Sequence, residues 1–179
     1  MNLLYTAHVP SGEGPFPTVL AVHGFGASAH DLIGLAPILH GGRALVLCPQ
    51  GPVALQPGPG MIGYGWFPLS QGGFMAYQIA LSDPARFAGL MALSAWLPDE
   101  VEKIAPQPAH AALPTLVIHG SKDPMVPIDR AYASRDALLR LKVPTVFREY
   151  EMAHEIRPEA LRDIIGWLEQ KVLAPVAIA

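Results

Sequence analysis

Three side chains whose types together perform acyl transfer occur in the chain order Ser70, Asp123, His154. A serine hydroxyl attacks a carbonyl when a base takes its proton. A histidine serves as that base when a carboxylate orients its ring and stabilises its cation. Ser70 opens the run Ser70-Gln71-Gly72-Gly73 at the head of a predicted helix. Small neighbours suit a nucleophile on a sharp strand-to-helix turn, and Gly72 provides the glycine of S-x-G. Asp123 stands in Gly120-Ser121-Lys122-Asp123-Pro124 and His154 in Glu151-Met152-Ala153-His154-Glu155-Ile156, each just past an apolar run. Singly, each has an ordinary role: the serine as a helix N-cap, the aspartate as a turn former, the histidine as a surface side chain. Their order, with each member in a loop after a strand, favours the catalytic reading. A fourth signal is His23-Gly24-Phe25-Gly26, also past a strand. The backbone N–H of Phe25 would there form an oxyanion hole with that of Gln71, each donor contributing about 3 kcal/mol to the transition state.

The elements that must position these residues read as alternating strands and helices. Asn2–Val9 resembles an edge strand, and Pro17–His23 and Arg43–Cys48 are buried strands. Between them Leu32, Leu35, Ile38 and Leu39 fall at helical spacing, which predicts a helix over Asp31–Leu39 stopped by Gly41-Gly42. Further on, helices are expected over Gln71–Leu81, Asp129–Leu141 and Pro158–Val172, with strands over Phe87–Leu93, Pro114–His119 and Pro144–Tyr150. Such alternation implies an α/β fold, with a mostly parallel central sheet covered by helices on both faces. Function in such sheets gathers at the carboxyl ends of the strands.

Composition narrows the classes further. At 179 residues, 51% of them hydrophobic, the chain is long enough for one domain over 1–179 with a buried sheet. A net charge of −3 gives no basic footprint, so no nucleic-acid partner is expected. The one cysteine, Cys48, rules out an internal disulfide and reads as a small core residue. His154-Glu155 lacks the second histidine a zinc motif requires, and the proposed chemistry needs neither metal nor cofactor. Gly24-Phe25-Gly26-Ala27-Ser28-Ala29 also fits the dinucleotide fingerprint G-x-G-x-x-A. That reading wants a carboxylate at the end of the next strand, where the chain has Leu47-Cys48-Pro49-Gln50. No run approaches a membrane span, and no leader is visible at the amino terminus, so no stable membrane insertion and a cytoplasmic location are expected.

The stretches LAVHGFGAS (20–28), GYGWF (63–67), SQGGFMAY (70–77), LSAWLP (93–98), VIHGSKDPMVP (117–127) and YEMAHEI (150–156) resemble the phospholipase/carboxylesterase branch of the α/β-hydrolases, which includes acyl-protein thioesterases. The resemblance implies an α/β-hydrolase fold without a large cap domain. It also implies metal-free hydrolysis of a small-molecule ester, thioester or lysophospholipid, and it places Trp66, Leu97 and Met125 near the acyl pocket. One departure stands out. The family pattern is G-x-S-x-G at the end of a buried strand, whereas Trp66-Phe67-Pro68-Leu69 precede Ser70. Pro68 does not suit a central ladder. The segment around 68–71 therefore lacks a helix and the nucleophile strand, together at least ~20 residues. Two explanations stay open: the sequence joins two stretches across an omitted segment, or the protein dispenses with the strand. The first is favoured, because loss of a central strand exposes the edges of both neighbours. It predicts an α-carbon step above the ordinary ~3.80 Å between Pro68 and Gln71. The second leaves room for a hydrolase-like protein that binds without catalysing.

Overall fold

The computed structural model describes residues 3–66 and 72–173. The expectations for Pro68–Gln71, including the α-carbon step there, lie outside the described residues, as do Ser70 and Gln71 themselves. The chain forms two compact units, Met1–Met75 and Ala76–Ala179.

The first unit is built on β1 (Tyr5–His8), β2 (Thr18–Leu20) and β3 (Leu45–Pro49), in the order β1-β3-β2. β1 runs antiparallel to β3, with Tyr5 opposite Pro49, and β2 runs parallel to it, with Thr18 beside Leu45. Alternation decides the buried face: Val46 and Cys48 are fully covered, while Leu45 and Leu47 point to the other side. A hairpin follows, β4 (Val53–Gly58) with β5 (Met61–Gly65). Its turn signal lies in Pro57-Gly58-Pro59-Gly60, and Gly60 adopts the left-handed φ of 74° that a turn requires.

The helix expected over Asp31–Leu39 is absent. Two short 3-10 turns, Ile33–Leu35 and Leu39–Gly42, take its place. Gly34 weakens an α-helix there, and Pro37 removes a backbone donor while its ring crowds the carbonyl four residues back. Of the apolar residues at that spacing only Leu39 is buried, Leu32 and Leu35 are half-buried and Ile38 is exposed, while Ala36 is covered between the turns. The predicted Gly41-Gly42 stop is visible as left-handed backbone at both glycines.

In the second unit β6 (Leu90–Leu93), β7 (Thr115–Gly120) and β8 (Thr145–Tyr150) form a wholly parallel sheet with β7 in the middle. Every residue of β7 is buried, as an apolar run covered on both faces requires. Val117 joins a core with Tyr77 and Leu81 of α1 (Gly72–Ser82) and Leu138 of α3 (Ile128–Arg140), the short α2 (Asp99–Glu102) lying between them in the chain. Leu116 and Ile118 face the other way, toward α4 (Pro158–Trp167), which packs on β7 with Ala160, Ile164 and Trp167 buried. Each of these large side chains contributes about 1.5–3 kcal/mol by leaving water. α4 opens on Pro158 at its first turn and loosens into a π-helical turn over Leu168–Val172, so the α-helix is shorter than the sequence suggests. Among the described residues no helix is long and apolar enough to cross a membrane.

Candidate active site

The parallel register of β7 and β8 sets Gly120 beside Tyr150, so the loops that follow leave the sheet side by side. They are joined over several residues. The N–H and the hydroxyl of Ser121 both donate to the Tyr150 carbonyl, at 2.8 and 3.2 Å. The Lys122 N–H donates to the Met152 carbonyl at 3.1 Å, and the Lys122 ammonium pairs with Glu151. Gly120 is required here. A β-carbon on it would collide with the carbonyl oxygens of Met152 and Ala153, which pass against its α-carbon.

Asp123 lies in the first of these loops with its carboxylate wholly buried. Oδ1 accepts the N–H groups of Met125 at 2.8 Å and Val126 at 2.9 Å, a local turn that aspartate forms well. Oδ2 lies 2.7 Å from Nδ1 of His154, which the second loop carries. Burial pushes the Asp123 carboxyl up. The Val126 N–H, the His154 ring and the Met125 N–H more than offset this and hold it below its ordinary value. The carboxylate is thus ionised and accepts from Nδ1–H of His154, so the lone pair of that ring sits on Nε2. The imidazole keeps part of its surface in the open, with 30% of the side chain exposed. A ring so held accepts a proton at one nitrogen while its other nitrogen stays anchored.

The other site residues expected from sequence are distributed as follows. Ser70 and Gln71 are outside the described residues. Phe25 is in the first unit, partly exposed, in a turn held from several sides. The His23 ring donates from Nδ1 to the Gly24 carbonyl at 2.8 Å and accepts the Gly51 N–H on Nε2 at 2.9 Å. The hairpin braces the same turn, with Gly26 N–H donating to the Tyr64 carbonyl and Tyr64 N–H to that of Ala27, each at 2.9 Å. Trp66 stacks obliquely on His23, ring centres 5.2 Å apart, and its indole N–H donates to the His23 carbonyl at 3.0 Å. At the start of α1, Gly72 lies so close to the carbonyls of Val22 and His23 that a β-carbon would strike both. Leu97 is a core residue of the second unit whose N–H donates to Ser134 Oγ at 2.8 Å. Met125 projects its side chain into solvent next to Asp123. Sequence reading missed His119 and Gly120, both within the stretch 117–127 that it singled out. Among the described residues no three His, Cys, Asp or Glu side chains gather as a metal site would need.

Comparison with known proteins places the fold in a class. Solved structures with the same fold include esterase PE8, with a TM-score of 0.75 and 19% identity over 96% of this chain and 100% of that one. Zea mays acyl-protein thioesterase 2 superposes with a TM-score of 0.74 and 19% identity over 94% and 99% of the two chains. The fold is that of the α/β-hydrolases. A family model described as phospholipase/carboxylesterase matches residues 67–172, and the chain belongs to that family. Curated relatives include acyl-protein thioesterase 1 of Gibberella zeae, 30% identical over 58% of this chain and 46% of its own length. Its counterpart from Mycosarcoma maydis is 36% identical over 59% and 47%. The chain thus spans about half the length of the curated relatives it matches.

Proposed function

We propose that the protein is a serine carboxylesterase, acting on carboxylic esters and thioesters through Ser70, His154 and Asp123. Both units are read as parts of a single hydrolase domain. The observation that carries the reading is the 2.7 Å bond between a buried, ionised Asp123 and the Nδ1 of His154 at neighbouring strand ends. That pair suits a base that must receive a proton at Nε2 and hold it. Membership in the phospholipase/carboxylesterase family and the acyl-protein thioesterase relatives support the reaction class.

In the proposed reaction His154 Nε2 takes the Ser70 proton as the hydroxyl oxygen attacks the carbonyl carbon. Asp123 stabilises the resulting imidazolium. The oxyanion rests on the backbone N–H groups of Phe25 and Gln71 until the alcohol or thiol leaves with the proton from His154. Water then repeats the attack on the acyl-enzyme and regenerates Ser70. A fluorophosphonate probe followed by peptide mapping tests the assignment. One label on Ser70, lost in Ser70→Ala together with turnover of a chromogenic ester while circular dichroism persists, is the expected result. A second reading, binding without catalysis, is favoured by Pro68 and Leu69 standing where a strand should lead into the nucleophile. Saturable ester binding with neither label nor turnover would decide for it.

A further inference from the structure

We propose that His119 is a positioning residue, whose Nε2–H fixes the loop that holds the Asp123 carboxylate against His154. The kinetic part of this inference rests on the hydrolase reading; the structural part does not.

Between Thr115 and His119 β7 is apolar, and His119 is the strand's one imidazole, with no exposed surface. Burying a polar ring in such a place is unfavourable unless its nitrogens are bonded. Nε2 lies 2.9 Å from the Val126 carbonyl and donates to it, whereas the buried Nδ1 has no partner among the described residues. A leucine would fill the space without that unbonded nitrogen, so packing alone does not account for the histidine. The bond it makes does. Val126 donates its N–H to Asp123 Oδ1 and accepts from His119 at its carbonyl, so its backbone is clamped on both sides. The next residue is Pro127, the N-cap of α3, which offers no N–H of its own to the loop. Released from His119, the Val126 carbonyl would be left without its partner, and the turn holding Oδ1 would relax.

His119 acts through the loop and not on the carboxylate. Its Nε2 is 3.9 Å from Asp123 Oδ2, beyond hydrogen-bond reach, and the donor is already committed to Val126. The chain of contacts runs from the strand end to Val126, from Val126 to Asp123, and from Asp123 to His154.

The test uses the full chain and three readouts: the downfield proton resonance of the His154–Asp123 bond, ester kinetics, and the tautomer of His119 from nitrogen–proton correlation spectra. His119→Leu removes the donor. His119→Gln returns an N–H at about the Nε2 position. In His119→Leu the resonance should shift or vanish and kcat should fall about 10- to 100-fold with KM within about twofold, as expected for a displaced catalytic group. His119→Gln should restore most of both. Leucine and glutamine variants equally impaired, or a leucine variant with unchanged resonance and kcat, would overturn the proposal. Should His119→Leu not fold, the wild-type spectrum still decides: the proton belongs on Nε2, and finding it on Nδ1 refutes the role. If the wild-type protein hydrolyses no ester, the hydrolase reading fails, while the resonance continues to test His119 separately.

Discussion

The turn around Phe25 and the loop around Asp123 both follow a strand, but β7 is buried throughout whereas β2, expected from the sequence to be buried, is largely exposed, and each turn is fixed by different means. In the second unit the sheet does the placing. Parallel pairing of β7 with β8 delivers two loops side by side, and backbone bonds from Ser121 and Lys122 extend the pairing beyond the strands. In the first unit β2 has only three residues. There the turn relies on the His23 ring, the Trp66 indole and the β4–β5 hairpin, supplemented by close approaches at Gly63 and Gly72. Position in the second unit thus comes from register, and in the first from side chains and missing β-carbons.

This contrast can be broken at points of decreasing force. Asp123→Asn keeps the shape of the side chain but removes its charge, and it favours the wrong tautomer of His154. Ester turnover should drop by about 10⁴-fold while circular dichroism still reports a folded protein. Gly120→Ala places a methyl group against two backbone carbonyls that a register-held strand cannot easily yield. A loss of about 3 kcal/mol in chemical denaturation is expected, against no loss for Ala at the solvent-facing Gly34, where nothing lies within reach of a new β-carbon and the backbone suits any residue.

Acid unfolding sharpens the same comparison. The folded Asp123 carboxyl titrates below its unfolded counterpart. Its stabilisation is therefore fully present above the unfolded value, near pH 4, and is lost as pH falls through the folded value. Urea midpoints of wild type and Asp123→Asn, measured downward from pH 5, should converge as the medium becomes more acidic. Parallel curves would show that the carboxylate contributes nothing by this route. The smallest effect belongs to the first unit. Trp66→Phe leaves a smaller aromatic ring beside His23 and deletes the indole N–H, and about 1 kcal/mol should be lost.

What the sequence disclosed follows the same division. The apolar run ending at His119 and Gly120 announced β7, and the loops beyond it could be placed because a buried parallel strand has few alternatives. The helix suggested over 31–39 by the spacing of Leu32, Leu35 and Leu39 does not form, because Gly34 and Pro37 bar continuous α-helical bonding. The hairpin over 53–65 went unread although Pro57-Gly58-Pro59-Gly60 signals a turn, because its strands are rich in glycine and show little alternation. The involvement of His119 was hidden for another reason. Its acceptor is the backbone carbonyl of Val126, and a carbonyl leaves no mark in the amino-acid letters.

The close passage of Met152 and Ala153 over Gly120 bears on how relatives of this protein can diversify or be redesigned. Neither segment can be lengthened, shortened or transplanted alone, because a graft on one side meets a backbone on the other that was shaped for its original neighbour. Variation must therefore be accepted elsewhere, for instance at the solvent-facing Met125, or arrive as a matched exchange of both segments in a single step.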